Sequence, residues 1–386
     1  MVRLKRGRER RARTHPWIFK SDVADAGEVE PGGVVTVVDA AGRFVGRGFF
    51  NPRPTLCCRI LTWDDEAVDA AFLARRVGRA LQARARDGAV LEVGRLVWSE
   101  ADGLPGFVAD RYGPVLVVQC LTLGMARVRD DLVAALRSRL GEVPVFSTDD
   151  TVVAGLEGFE PAARWVDRAG PEEVVVDEGG VGLAVRPGAG HKTGVYLDQA
   201  DNRRRIAGVA GAGDVLDVFA YTAGFACHAL RAGARRAVCV ESSPEAVAGA
   251  RRNLELNGVA DRAEVRAVNA FDELRRLDRD RARFGLIVLD PPPFARSRTA
   301  LPDALRGYKE INLRAMRLLE RGGRLATFSC SHHVDETTFE ATCREAATDA
   351  GLRLRILERL GQAPDHPTVL TVPETRYLKG LLLERG

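Results

Sequence analysis

The 386-residue chain lacks any apolar run approaching the length of a membrane-spanning helix, and its Arg-rich start lacks the hydrophobic stretch of a signal peptide. Export and membrane insertion are therefore not expected, and a cytoplasmic protein is. Its seven cysteines include no Cys-x-x-Cys pair and no Cys/His cluster with zinc spacing, which argues for a reduced compartment and against a bound metal. No internal repeat or low-complexity tract occurs. With 46% hydrophobic and 28% charged residues the composition also lacks a disorder signature, and the length points to two or three domains.

The net charge of +4 is mild but unevenly spread. Residues 1–20 hold Arg3, Lys5, Arg6, Arg8, Arg10, Arg11, Arg13 and Lys20 against one acid, Glu9. Such an arm is suited to neutralising phosphates, although by itself it reads equally well as a solvated terminus. Residues 1 to about 70 show short strands with Gly-rich turns at 33–38, 43–50 and 57–61, a small β unit. Val68, Phe72, Val77 and Leu81 then recur at helical spacing, and a mixed α+β region with a helix over Met125–Leu140 follows. From Val215 strand and helix alternate, which predicts a parallel doubly wound sheet. The expected domains are 1–71, 72–185 and 186–386.

In the third domain every polar candidate falls at the carboxyl end of an expected strand, where open α/β sheets bind ligands. The first strand runs into Ala220-Tyr221-Thr222-Ala223-Gly224, and Glu241 ends the second, placed to take both ribose hydroxyls of a nucleoside. A single glycine is too few for the close backbone approach a pyrophosphate needs. S-adenosylmethionine, which carries no phosphate, is the expected cofactor. The side-chain carbonyl of Asn269 is the expected acceptor for its adenine amine. The candidate cofactor residues are Gln199, Asp217, Phe219, Tyr221, Thr222, Gly224, Glu241, Ser242, Asn269, Ala270 and Asp290. Gly190-His191-Lys192-Thr193-Gly194 lacks P-loop spacing. Lys192 and Arg203 join Arg6, Arg8, Arg10, Arg11 and Arg13 as candidate RNA contacts.

Two strand ends supply candidate catalytic groups, Asp290-Pro291-Pro292 and Ser329-Cys330-Ser331. The prolines restrict the backbone around Asp290 and hold its carboxylate in place. Carbon 5 of cytosine is a poor nucleophile, and a thiolate added at carbon 6 loads electron density onto it. Cys330 is the candidate nucleophile, its thiol favoured by a helix N-terminus expected at Asp335, and Asp290 is the group that orients and polarises the base. Cys57, Cys120, Cys227, Cys239 and Cys343 read as buried filler, and His332 and His333 read either as a base or RNA contact or, at least as well, as surface residues.

Taken together, His15-Pro16-Trp17-Ile18-Phe19, Ser99-Glu100-Ala101-Asp102-Gly103-Leu104-Pro105-Gly106, the 190–194 run, Leu197-Asp198-Gln199, Asp290-Pro291-Pro292, Phe328-Ser329-Cys330-Ser331, Asp365-His366-Pro367 and Glu374-Thr375-Arg376-Tyr377-Leu378-Lys379-Gly380 resemble the RlmI-type large-subunit ribosomal RNA cytosine-5 methyltransferases. The resemblance spans nearly the whole chain. It implies an α/β fold with an N-terminal PUA RNA-binding domain, a small central α+β domain and a C-terminal Rossmann-like methyltransferase domain. It also implies large-subunit ribosomal RNA as partner and Cys330 as nucleophile, and leaves open a homodimer and the base that removes the carbon-5 proton. The chain departs from the family at Asn269, where an acid is usual, and at Pro293, where a Lys is usual. No cysteine lies in the Asp290 loop. The alternatives are methylation of a guanine ring nitrogen, a non-catalytic PUA-bearing ribosome assembly factor, and a small-molecule methyltransferase.

Overall fold

The computed structural model describes every residue except 86–88, 190–192, 296 and 298. The chain forms two compact units from non-contiguous segments, one from 1–174, 185–194 and 365–375, the other from 175–184, 195–364 and 376–386.

The second unit is built on a seven-stranded sheet: β1 (Asp214–Val218), β2 (Arg236–Glu241), β3 (Ala263–Ala267), β4 (Phe284–Leu289), β5 (Leu319–Ser329), β6 (Leu354–Leu360) and β7 (Lys379–Arg385). Their order is β3-β2-β1-β4-β5-β7-β6. The first four pairings in that order are parallel, and β7 runs antiparallel to both of its neighbours. Leu286, Ile287, Val288 and Leu289 of β4 are all buried; because successive strand residues face opposite sides, both faces of the sheet are covered there. Six helices accompany the strands: α1 (Ala200–Ala207), α2 (Gly224–Arg231), α3 (Pro244–Leu256), α4 (Ala270–Arg279), α5 (Leu301–Leu318) and α6 (Glu336–Ala350). Strand order reverses between β1 and β4, and this switch point opens the crevice at the carboxyl ends of the strands.

The first unit holds a six-stranded sheet, formed between residues 2 and 62, and a five-stranded sheet formed between 93 and 165. Val2, Leu4, Ile18, Val37, Cys58 and Ile60 make the core of the former. The helix Ala70–Ala83, capped by Asp69, packs Phe72, Leu73, Val77 and Leu81 into the core of the latter. The expected helix over Met125–Leu140 is instead two, Leu123–Arg127 and Arg129–Leu140: Thr122 caps the first, and Val128 breaks the helical backbone.

Several sequence motifs prove to be staples within this unit. Trp17 Nε1 donates to Glu100 Oε1 at 2.8 Å, and His15 Nε2 lies 3.0 Å from Glu374 Oε2. Arg84 makes a two-pronged pair with Asp102, at 2.9 and 2.8 Å, while Asp365 Oδ2 accepts from the Arg95 amide at 2.8 Å. Thr193 donates at 2.5 Å to buried Asp110, which also holds Arg95 through two 2.8 Å bonds. Buried carboxylates are satisfied in this way by forked arginines.

Candidate functional site

In the second unit, β1 ends in a turn whose residues Phe219, Tyr221 and Ala223 have φ of 63°, 48° and 59°. Three non-glycine residues in the left-handed region within five positions represent stored strain, of order 1–3 kcal/mol each. Glu241, ending β2, braces this turn: its Oε2 accepts from Tyr221 N at 2.9 Å, and its Oε1 from Ser242 N and Ser243 N at 2.7 and 2.9 Å. Thr222 is held through its carbonyl by Asn253 Nδ2 at 2.8 Å. Gly224 opens α2, where an added Cβ would meet Arg203 Cδ at 2.9 Å. That glycine therefore makes room for an arginine of the protein itself.

Arg203, expected to meet RNA, is buried instead. It makes two 2.6 Å bonds to Glu178, whose Oε1 also lies 3.0 Å from His228 Nε2. Burial opposes ionisation of Glu178, yet Arg203 and then His228 hold its carboxyl down at about 2. A signal was present in the sequence: positions 199, 202, 203 and 206 follow the inward stripe of a helix, and all four are buried.

Asp217 Oδ1 on β1 and Gln199 Nε2 are among the buried polar atoms of this unit that have no hydrogen-bond partner among the described residues. Asp217 Oδ2 accepts from Ala226 N at 3.1 Å, and burial pushes the carboxyl up to about 8. Gln199 Oε1 is engaged by Asn202 at 2.6 Å. An orphaned acceptor and an orphaned donor are the kinds of group that a zwitterionic amino-acid moiety engages.

Asn269 differs from expectation. Its Oδ1 accepts from Phe271 N and Asp272 N at 2.9 and 3.3 Å, capping α4. The carbonyl is spent on the cap, and the group left for a ligand is the Nδ2 donor. Ala270, the first residue of α4, is buried.

The two strand-end motifs do meet. Asp290 N reaches the Val218 carbonyl at 3.4 Å, tying its loop to the end of β1, and Cys330 Sγ lies 3.8 Å from the Pro291 carbonyl oxygen. Of the seven cysteines, six are buried and Cys330 is partly exposed. Burial pushes the thiols of Cys120, Cys227 and Cys343 up to about 12 and those of Cys58 and Cys239 higher than ordinary. They are inert. Side chains on an extended chain alternate, so Ser329 and Ser331 share one direction and Cys330 takes the other. Tyr308 of α5 exploits this: its hydroxyl bonds Ser329 Oγ at 3.0 Å and Ser331 Oγ at 2.9 Å, and Ser331 Oγ accepts from Ala295 N at 3.3 Å. One buried phenol thus fixes the serines on either side of Cys330 and, through Ser331, the Asp290 loop. Nothing local in the sequence pointed to Tyr308. The expected helix N-terminus is present as α6, but the Asp335 carboxylate already caps it through Thr338 N at 2.7 Å. His332 and His333 are exposed.

Arg6, Arg8, Arg10, Arg11 and Arg13 are exposed on the first unit. Arg8 lies 3.5 Å from Asp22, and Arg11 stacks over Phe19 at 5.3 Å. Lys192 lies outside the described residues. Among those described, no group of His, Cys, Asp and Glu is arranged to hold a metal, and no helix is long and apolar enough to cross a membrane.

Residues 2–63 match a PUA-like domain family, and residues 135–384 match an S-adenosylmethionine-dependent methyltransferase family. The chain is 40% identical over 390 residues to ribosomal RNA large subunit methyltransferase I of Pseudoalteromonas atlantica, covering 99% of this chain and 98% of the relative. It is 38% identical over 377 residues to the protein of that name from Alteromonas mediterranea, covering 96% and 95%. A methyltransferase solved as a complex with S-adenosylhomocysteine superimposes over 100% of both chains with a TM-score of 0.86 at 18% identity, which shows a shared fold. With an S-adenosylmethionine-dependent methyltransferase module, a PUA-like module and close to 40% identity end to end, the chain belongs to the ribosomal RNA large subunit methyltransferase I family.

Proposed function

We propose that this chain methylates carbon 5 of a cytosine in large-subunit ribosomal RNA, with Cys330 as the covalent nucleophile. The observation that carries this reading is the partly exposed Cys330 thiol, 3.8 Å from the carbonyl of Pro291 and so beside Asp290 at the end of the neighbouring strand. The substrate class rests on the relatives' names and on the arginine arm of the PUA-like module.

S-adenosylmethionine, when bound, supplies a methyl group on a sulfonium, an electrophile for a nucleophilic carbon. Glu241 is the acceptor proposed for its ribose hydroxyls, Asp217 Oδ1 for its ammonium, and Gln199 Nε2 the donor for its carboxylate. At the base, the Cys330 thiolate forms the S–C6 bond, and the displaced C5–C6 π pair makes carbon 5 nucleophilic. Asp290 binds the amino edge and stabilises the protonated ring. After the new bond at carbon 5 has formed, loss of the carbon-5 proton restores the double bond and expels the thiolate. A target cytosine reaches Cys330 when unstacked or single-stranded.

RNA containing 5-fluorocytidine provides the test, because fluorine at carbon 5 blocks the final elimination. A denaturation-resistant protein–RNA adduct at Cys330 is expected, dependent on S-adenosylmethionine. Full methyl transfer to ribosomal RNA by Cys330→Ala would overturn the reading and favour a ring nitrogen, whose methylation requires no thiolate.

A further inference from the structure

We propose that Lys379 is the positioning residue that keeps Cys330 ionised, its ammonium serving as the counter-charge of the thiolate. This inference rests on the reading of Cys330 as nucleophile and adds a partner to it.

The sheet places this lysine. Lys379 begins β7 and stands opposite Ser329 in the antiparallel register of β5 and β7, one residue from Cys330. Its side chain is buried, and Nζ donates to the carbonyls of Ser331, at 2.7 Å, and Tyr377, at 2.8 Å. An ammonium has three N–H donors, so two neutral carbonyls leave one unused and the charge uncompensated. Among the described residues Lys379 makes no ion pair with a carboxylate. A buried ammonium without a carboxylate is costly, and the arrangement makes sense where a negative charge develops nearby.

The charged groups around Lys379 are Cys330, Asp335, Arg376 and Glu336. Asp335 is engaged as the cap of α6, and Arg376 and Glu336 pair with each other at 2.7 Å. Burial pushes the Lys379 ammonium down to about 8, against the pull of a Cys330 thiolate and then of Asp335. Lys379 is still mostly protonated at neutral pH. Because the Asp335 carboxylate sits at the start of α6, the helix end adds little positive field at the thiol, and the cation has to come from another element.

The experiment is alkylation of Cys330 by iodoacetamide from pH 5 to 10, followed by mass spectrometry of the Cys330 peptide; the six buried thiols serve as unreactive internal controls. In Lys379→Met the midpoint of Cys330 alkylation is expected to move up by about one pH unit or more, with the rate at pH 7 falling roughly tenfold. Lys379→Arg is expected to stay within about threefold of the original protein. An unchanged profile in a Lys379→Met protein with unaltered melting temperature overturns the proposal. If Lys379→Met does not fold, the reciprocal measurement decides, since coupled charges shift each other equally. In Cys330→Ala the acylation midpoint of Lys379 is expected to fall, and an unchanged midpoint overturns the proposal. These readouts report the Lys379–Cys330 coupling whether or not RNA is methylated. Retained methyl transfer by Cys330→Ala would sink the cytosine mechanism instead.

Discussion

Tyr308 holds Ser329 and Ser331 with one hydroxyl, so the residue between them, Cys330, is fixed from both sides by a helix that is separate from its own strand. Tyr308→Phe leaves two buried serine hydroxyls short of a partner, at a cost of about 1–3 kcal/mol. The expected outcome is a fall in kcat of about tenfold with KM for RNA within twofold, because orientation of the thiol is lost and RNA binding is not. Steady-state kinetics alongside thermal melting separate this from general destabilisation.

Asp217 gives a pH-dependent signature. Its folded-state pKa of about 8 lies above the ordinary value, so between roughly pH 4 and 8 the folded protein binds a proton that the unfolded chain does not. Stability contributed by this group therefore falls as pH rises through that window. Asp217→Asn is expected to melt at a higher temperature than the original protein at pH 8, with the gap closing toward pH 4. The same change should weaken S-adenosylmethionine binding at least tenfold, read by calorimetry.

Glu178 titrates in the opposite sense. Its folded pKa of about 2 lies below the unfolded value, so its contribution is present above about pH 4.5 and is lost as pH falls toward 2. Glu178→Gln strands the buried Arg203 charge and is expected to cost about 3–5 kcal/mol near neutral pH. Urea unfolding at pH 7 and pH 3 should show the difference between the two proteins shrinking in acid.

The arginine arm is tested by salt. Arg6, Arg10 and Arg13 are exposed, so their replacement by Ala should leave melting unchanged while weakening RNA binding. The slope of log K against log salt should fall by about 0.7–0.9 for each phosphate contact removed. An unaltered slope would mean that the arm does not touch RNA.

Much of the crevice was legible because parallel sheets impose it. Glu241, Asp290 and Cys330 each follow an apolar run, and any such run in an alternating strand-helix pattern ends on the ligand-binding edge. What was not legible depends on pairings between distant segments. Lys379 reaches the Ser331 carbonyl only through the antiparallel return of β7, and strands β6 and β7 were not anticipated. Segments 185–194 and 365–375 join the first unit through isolated side-chain anchors such as Thr193 to Asp110, Asp365 to Arg95 and Glu374 to His15, which leave no periodic trace. Arg203 was misjudged because three consecutive arginines resemble a solvated face, when only the first follows the buried stripe.

The strained turn at Phe219, Tyr221 and Ala223 sets heat resistance against turnover. Glycine at Ala223, where no ring is lost from the packing, would relieve left-handed strain and favour survival in a library selected on thermal endurance alone. Such a library would drift toward a looser cradle around Glu241, so the variants it enriches should be robust and slow.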